Sequence, residues 1–192
     1  MTKIRVGVFG SAFDPPTYGH RDVLQQAAPF FDKILLVPSA CHAFSKKMQP
    51  FKHRITMLKL FLGALSLGTC TAEICAIEST LLAKDKASPI YTFDLMEALE
   101  KSYCGEAVLS FIRGPDNAIP DVWQTFYKAR EIEQRWTIYT AHERIKVRSS
   151  KVREVIASGA KQAQKARMVK QLLFPSVYDY IESQALYRTT ML

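Results

Sequence analysis

Apolar positions along the chain fall into short continuous runs that alternate with stretches of helical spacing. Residues 3–9 alternate and then run apolar, the pattern of a buried strand. From 20 to 31, Val23, Leu24, Ala27, Ala28 and Phe31 recur at helical spacing, and Pro29 predicts that this helix frays near its end. Ile34-Leu35-Leu36-Val37-Pro38 follows as a short apolar strand. Strand, helix and strand so close together form a βαβ unit, with a parallel pair and a right-handed crossover.

The same alternation continues to the end of the chain. Arg54, Met57, Leu58, Phe61 and Leu65 keep a helical period that stops at Gly68, after which 70–77 reads as a third strand and 79–90 as a connection. A helix opens at Tyr91-Thr92-Phe93-Asp94, and 107–112 is a fourth strand. The aromatic segment 123–127 enters a helix that runs to Arg135, and 136–140 is a fifth strand. Ser149 or Ser150 can cap a further helix. Leu173, Val177, Tyr180 and Ile181 then share one face of a closing helical segment, 172–187. The expected fold is α/β: one Rossmann-like, doubly wound parallel sheet with helices on both faces, forming a single domain over 1–192.

Composition narrows the class. The longest apolar runs, such as 60–65, fall far short of a bilayer span, and the chain begins directly with a strand and no hydrophobic signal region. A cytoplasmic protein is expected. Cys41, Cys70, Cys75 and Cys104 form no CxxC pair and no zinc-type cluster, so reduced thiols are expected and no metal site is predicted. The net charge of +8 is uneven: from 144 to 170, nine Lys and Arg residues face only Glu154. Such a run is a solvated helical face, an anionic small-molecule site or a nucleic-acid surface.

Chemistry concentrates where the first strand meets the first helix, at Val8-Phe9-Gly10-Ser11-Ala12-Phe13-Asp14-Pro15-Pro16-Thr17-Tyr18-Gly19-His20. A helix start presents unpaired N–H groups and partial positive charge, a seat for phosphate. Gly10 and Gly19 would let the backbone approach an anion closely. Two loops follow strands at the edge where open α/β sheets bind ligands: 39–52, with His42, Lys46 and Lys47, and Arg113-Gly114-Pro115-Asp116-Asn117. Trp123, just beyond the second, is either a core residue or a stacking surface for a planar ring. Lys151 and Arg153 in the first turn of the helix after Ser149 oppose its dipole, a cost that bound polyphosphate would relieve.

These residues resemble a known group. The opening stretch is similar to the GGTFDPxHxGH motif of nucleotidyltransferases with the HxGH signature, and 147–153 resembles their second signature, ISSTxIR. Within that superfamily the chain most resembles the bacterial nicotinate-nucleotide adenylyltransferases, through His53 to Leu58, Tyr91-Thr92-Phe93-Asp94, Gly114 to Asn117 with Trp123, and Pro175-Ser176-Val177 with Leu186-Tyr187. The resemblance implies transfer of AMP from ATP to nicotinate mononucleotide, with Mg²⁺ bridging phosphates, in NAD biosynthesis. It implies catalytic roles for Thr17, His20 and Arg153. It places Gly10, Ser11, Ala12, Phe13, Gly19, His20, Lys46, Gly114, Asp116, Ser149, Ser150 and Arg153 around ATP, with the helices from about 149 to 187 completing that site. Asp14, Thr92 and Trp123 would serve the second substrate.

Four positions depart from the pattern: Ser11 for the second glycine, Ala12 for Ser/Thr, Thr17 for the first histidine, and Arg148 for the first serine of ISSTxIR. Thr17 occurs in the pantetheine-phosphate adenylyltransferase branch. Adenylylation of nicotinamide mononucleotide or of pantetheine phosphate therefore stays open, as does a non-catalytic nucleotide- or nucleic-acid-binding protein. The partners expected are small molecules, with no membrane; a homo-oligomer is compatible with these residues.

Overall fold

The computed structural model describes residues 2–40, 48–84 and 90–188. The five apolar runs form strands β1 (Ile4–Ser11), β2 (Lys33–Pro38), β3 (Thr71–Ile74), β4 (Ala107–Arg113) and β5 (Thr137–Thr140). They make one sheet in the order β3-β2-β1-β4-β5, and every neighbouring pair is parallel. The chain starts in the middle, adds β2 and β3 on one side, and then crosses to add β4 and β5 on the other. The strand order thus reverses between β1 and β4, the point at which open α/β sheets bind ligands. Helices flank this sheet, as a Rossmann-like α/β fold requires.

The described residues form the helices α1 (Tyr18–Ala27), α2 (Phe51–Gly63), α3 (Ile77–Lys84), α4 (Thr92–Tyr103), α5 (Pro120–Trp123), α6 (Ala129–Arg135), α7 (Ser149–Ala157), α8 (Gln162–Val169) and α9 (Pro175–Ser183). Pro29 acts as expected: α1 tightens into a 3₁₀ turn, Ala28–Phe30. Among the described residues no helix is long and apolar enough to cross a membrane.

Two expectations are corrected. The stretch after β3 is a helix, α3, because Glu78 complements its first turn and accepts the Ala40 N–H at 2.8 Å, tying it to the end of β2. The aromatic segment does not run into one helix: Lys128, at φ +56°, separates α5 from α6. The closing segment 172–187 holds one helix, α9, as expected, with α8 ahead of it in the chain.

The chain packs as two units, one drawn from Met1–Ala12, Val23–Lys47 and Ser66–Glu143, the other from Phe13–Asp22, Met48–Leu65 and Arg144–Leu192. In the first, Val6, Val8, Leu35, Val37, Leu109 and Phe111 alternate onto one sheet face and cluster with Phe93, Met96 and Leu99 of α4, with Ile132, and with Trp123 and Trp136. Burying each such side chain contributes about 1.5–3 kcal/mol. In the second unit α2 packs against α9, and α7 against α8. Phe61 and Phe174 contribute a ring pair at 5.5 Å.

A Cβ at Gly7, in the middle of β1, would lie 2.6 Å from Ile112 Cδ1 and 2.9 Å from Phe31 Cδ2, whereas one at Gly10 would meet nothing within 4 Å. Gly7→Ala should therefore destabilise the chain by about 1–3 kcal/mol through overpacking. Gly10→Ala should leave the midpoint of thermal unfolding nearly unchanged. Equal midpoints for the two variants would contradict this packing.

Candidate active site

The loop between β1 and α1 is buried from Phe13 to Thr17, so its backbone polar groups need partners inside the protein. Phe13 lies in the left-handed region at φ +47°, and the Asp14–Pro15 peptide is cis. The loop's partners come from the segment entering α7, more than a hundred residues later. Ser149 Oγ donates to the Pro15 carbonyl at 2.8 Å, and Arg153 Nη1 donates to the Asp14 carbonyl at 2.7 Å. A Cβ on Gly19 would run into the carbonyl oxygen of Val147. Gly19 therefore serves this close approach of the two segments within the protein. Arg144 adds an ion pair to the buried Asp22 at 2.7 Å.

Thr17 and His20 are locked together at the start of α1. The backbone N–H and the hydroxyl of Thr17 both lie 3.0 Å from His20 Nδ1. A backbone N–H can only donate, so Nδ1 is the acceptor and the proton of the neutral ring sits on Nε2. The Phe13 ring packs beside the imidazole, with centroids 5.0 Å apart. The N–H of Tyr18, first residue of α1, donates to the Leu172 carbonyl at 2.8 Å.

Asp14 is 4 % exposed. Its Oδ1 accepts the Tyr187 hydroxyl at 2.5 Å, and the Gln49 N–H reaches its two oxygens at 3.3 and 3.4 Å. Burial first, and then the Asp14 carboxylate, push the Tyr187 phenol far above its ordinary range, so it stays protonated and donates. Arg54, 1 % exposed, donates from Nε to the Gln49 carbonyl at 3.0 Å and so holds that partner in place.

At α7 the expected cap is corrected. The N-cap position is Arg148, without a side-chain capping bond, and Ser149 is the first helical residue with its hydroxyl used on Pro15. The first turn contains no acidic residue, so the N–H groups of Ser149 and Ser150 stand at an uncapped helix start beside Lys151 and Arg153. Ser150 is exposed and Arg153 half-buried.

The remaining predicted residues lie in the other unit. Ser11 ends β1, where its carbonyl accepts the Ser39 N–H at 3.0 Å, and Ala12 follows it, half-buried. Gly114 and Asp116 sit at the 3₁₀ turn Pro115–Ala118 after β4; Asp116 is exposed. Thr92 opens α4. Trp123 is 5 % exposed within the core cluster, and its Nε1 donates to Glu133 at 2.8 Å. Lys46, with the rest of 41–47, lies outside the described residues.

Sequence reasoning missed Tyr187, Gln49 and Arg54 as supports of the loop. Arg54 carried a signal: a charge at a position of the buried helical period. Tyr187 entered only as part of the closing stretch of the resemblance, and its partner, Asp14, is 173 residues away.

The cytidylyltransferase-like family model matches residues 8–155. A protein of Desulfotalea psychrophila, named a probable nicotinate-nucleotide adenylyltransferase, is 29% identical over 129 residues, 64% of this chain and 57% of its own length. The nicotinate-nucleotide adenylyltransferase of Bacillus subtilis is 30% identical over 118 residues, 58% of this chain and 56% of its own. The chain thus aligns with little over half the length of these two relatives. A solved structure from Vibrio parahaemolyticus that carries the name nicotinate-nucleotide adenylyltransferase superposes with a TM-score of 0.78 at 27% identity, covering 99% of this chain and 98% of that one.

Tyr187→Phe removes a donor from a buried carboxylate at a cost of about 1–3 kcal/mol. The thermal midpoint should fall by about 3–10 °C, a few degrees for each kcal/mol in a chain of this size. Gly19→Ala should destabilise at least as much, because the atom it strikes is backbone and cannot rotate away. Unchanged midpoints in thermal scans of both variants would show that neither contact holds the loop.

Proposed function

We propose that this chain, which belongs to the cytidylyltransferase-like family, transfers AMP from ATP to the 5′-phosphate of nicotinate mononucleotide. A phosphate oxygen of the mononucleotide forms a bond to the α-phosphorus of ATP, the bond from that phosphorus to the bridging oxygen breaks, and pyrophosphate leaves. The products are pyrophosphate and the deamido form of NAD. The observation that carries this reading is the pairing of the two signature segments, with Gly19 against Val147 and Ser149 and Arg153 on the carbonyls of the His20 loop.

The attacking group is already an anion, so no protein nucleophile is required. The demand on the protein is positioning and compensation of charge. The residues of the second unit suit it: two helix starts, α1 and α7, the Nε2 proton of His20, and the cations Lys151 and Arg153. In this reading His20 stabilises the transferred phosphoryl group, Thr17 holds the imidazole in the required tautomer, and Ser149, Ser150 and Arg153 receive the β and γ phosphates. Gly114 and Asp116 are assigned to the adenosine of ATP, and Thr92 to the pyridine nucleotide. Asp14 supports the loop in place of contacting substrate.

Mg²⁺ fits as a companion of ATP. Among the described residues no three His, Cys, Asp or Glu side chains converge on one point, and Asp14 is already engaged by Tyr187 and Gln49. The ion's ligands would be phosphate oxygens and water, and its contribution is neutralisation of phosphate charge. The proposed reaction places the protein in the cytoplasm, where its substrates are found, and leaves a homo-oligomer open.

Pyrophosphate release from ATP should be seen with nicotinate mononucleotide and Mg²⁺, and should be much weaker with nicotinamide mononucleotide or pantetheine phosphate. Turnover with none of the three, or with pantetheine phosphate alone, would overturn the proposal. Salt-dependent nucleic-acid binding without AMP transfer would favour the non-catalytic alternative. His20→Ala should lower kcat per folded molecule by about 100- to 1,000-fold, and the buried Thr17 N–H left without its acceptor should cost about 1–3 kcal/mol of stability, so turnover is compared below the variant's own thermal midpoint.

A further inference from the structure

Trp123 does not offer an open face to a ligand; Arg113 lies on it. The guanidinium carbon of Arg113, the last residue of β4, is 4.7 Å from the centre of the indole. Phe126 packs against the same indole at 4.8 Å, and Phe111 lies nearly parallel to it at 6.0 Å. With Nε1 tied to Glu133, the indole is an immobile wall. Arg113 is held as firmly: its Nε and Nη2 donate to Thr140 Oγ1 at 3.2 and 2.9 Å.

Those two bonds use two of the five N–H groups of a guanidinium. Among the described residues Arg113 forms no ion pair, although it is only half-exposed. It borders a cleft of about 650 Å³ that Trp123, Gln124 and Arg130 also line. A planar cation oriented by Thr140, with three N–H groups to spare, in the lining of a cleft that Trp123 and Phe126 also border, is built to take a planar anion.

We infer that Arg113 reads the ring carboxylate of the acceptor nucleotide and so sets the preference for nicotinate over nicotinamide. This rests on the acceptor reading given above. A carboxylate conjugated with its pyridine ring lies in the ring plane and can meet the guanidinium edge in a two-point contact while the ring occupies the cleft. An amide in that place would set an NH₂ group against a cation. Glu131 and Glu133 also border the cleft and would favour that amide. Arg113 and Arg130 offset these two carboxylates, and Arg113, oriented by Thr140, is the one set to meet the acid in a two-point contact. Its role is specificity, separate from the phosphate chemistry at His20.

The test is kcat/KM for nicotinate mononucleotide and for nicotinamide mononucleotide, at saturating ATP, in the parent, Arg113→Met and Arg113→Lys. The ratio of the two acceptors is independent of how much of a preparation is folded, so a destabilised variant still reports. The parent should prefer the nicotinate form. Arg113→Met should reduce the ratio by about 10- to 100-fold, as loss of a charge-assisted bond predicts. Arg113→Lys, with its charge kept and its fork lost, should fall between. A contact to the acceptor's phosphate, or a packing role under Trp123, would lower both acceptors alike and leave the ratio unchanged; that result overturns the inference. A parent that uses neither acceptor overturns the reading beneath it, and a parent that uses both with Arg113→Met at the same ratio overturns the inference alone.

Discussion

The close approach of Gly19 to the Val147 carbonyl brings the His20 loop against the segment that enters α7. Two segments more than a hundred residues apart meet backbone to backbone, and only glycine permits it. Around this contact Ser149 and Arg153 satisfy the carbonyls of Pro15 and Asp14, which would otherwise be buried without donors. Phe13, held at positive φ, is tolerated because the loop is fixed from both ends.

A loop held in this way suits phosphoryl transfer better than a mobile one. Nothing in that reaction asks the protein for a nucleophile; what matters is that the imidazole, the helix starts and the cations are already oriented when charge develops. The Thr17 N–H removes the choice of tautomer from His20. Tyr187, kept protonated by burial and by Asp14, takes the loop's carboxylate out of solvent, so the acid acts as a structural anchor. The tail of the chain is in this way part of the site's framework, although it contributes no group to the chemistry proposed.

Much of this was legible in the sequence. The five strands, the βαβ start and the fraying at Pro29 follow from period and from proline stereochemistry, which are local. The loops after β2 and β4 were placed at the ligand edge because parallel topology leaves little choice. The helix α3 was not legible: Ser79 and Thr80 read as a connection, and its first turn is tied by Glu78 to the N–H of Ala40 in the loop beyond β2. The cap of α7, read at Ser149 or Ser150, falls at Arg148 because Ser149 uses its hydroxyl on the Pro15 carbonyl. Trp123 was open between core and stacking surface; its burial, and the guanidinium on its face, are set by β4 and α5 together.

By itself the amino-acid sequence determined the element order, the sheet class and the two signature segments, because hydrophobic period, turn chemistry and motif spacing are written in neighbouring residues. Tertiary structure alone decided which donors those segments exchange. Gly19 with Val147, Asp14 with Tyr187, and Arg113 with Trp123 and Thr140 are contacts that no spacing announces. A buried polar group must find a partner, and the fold determines which distant residue can reach it.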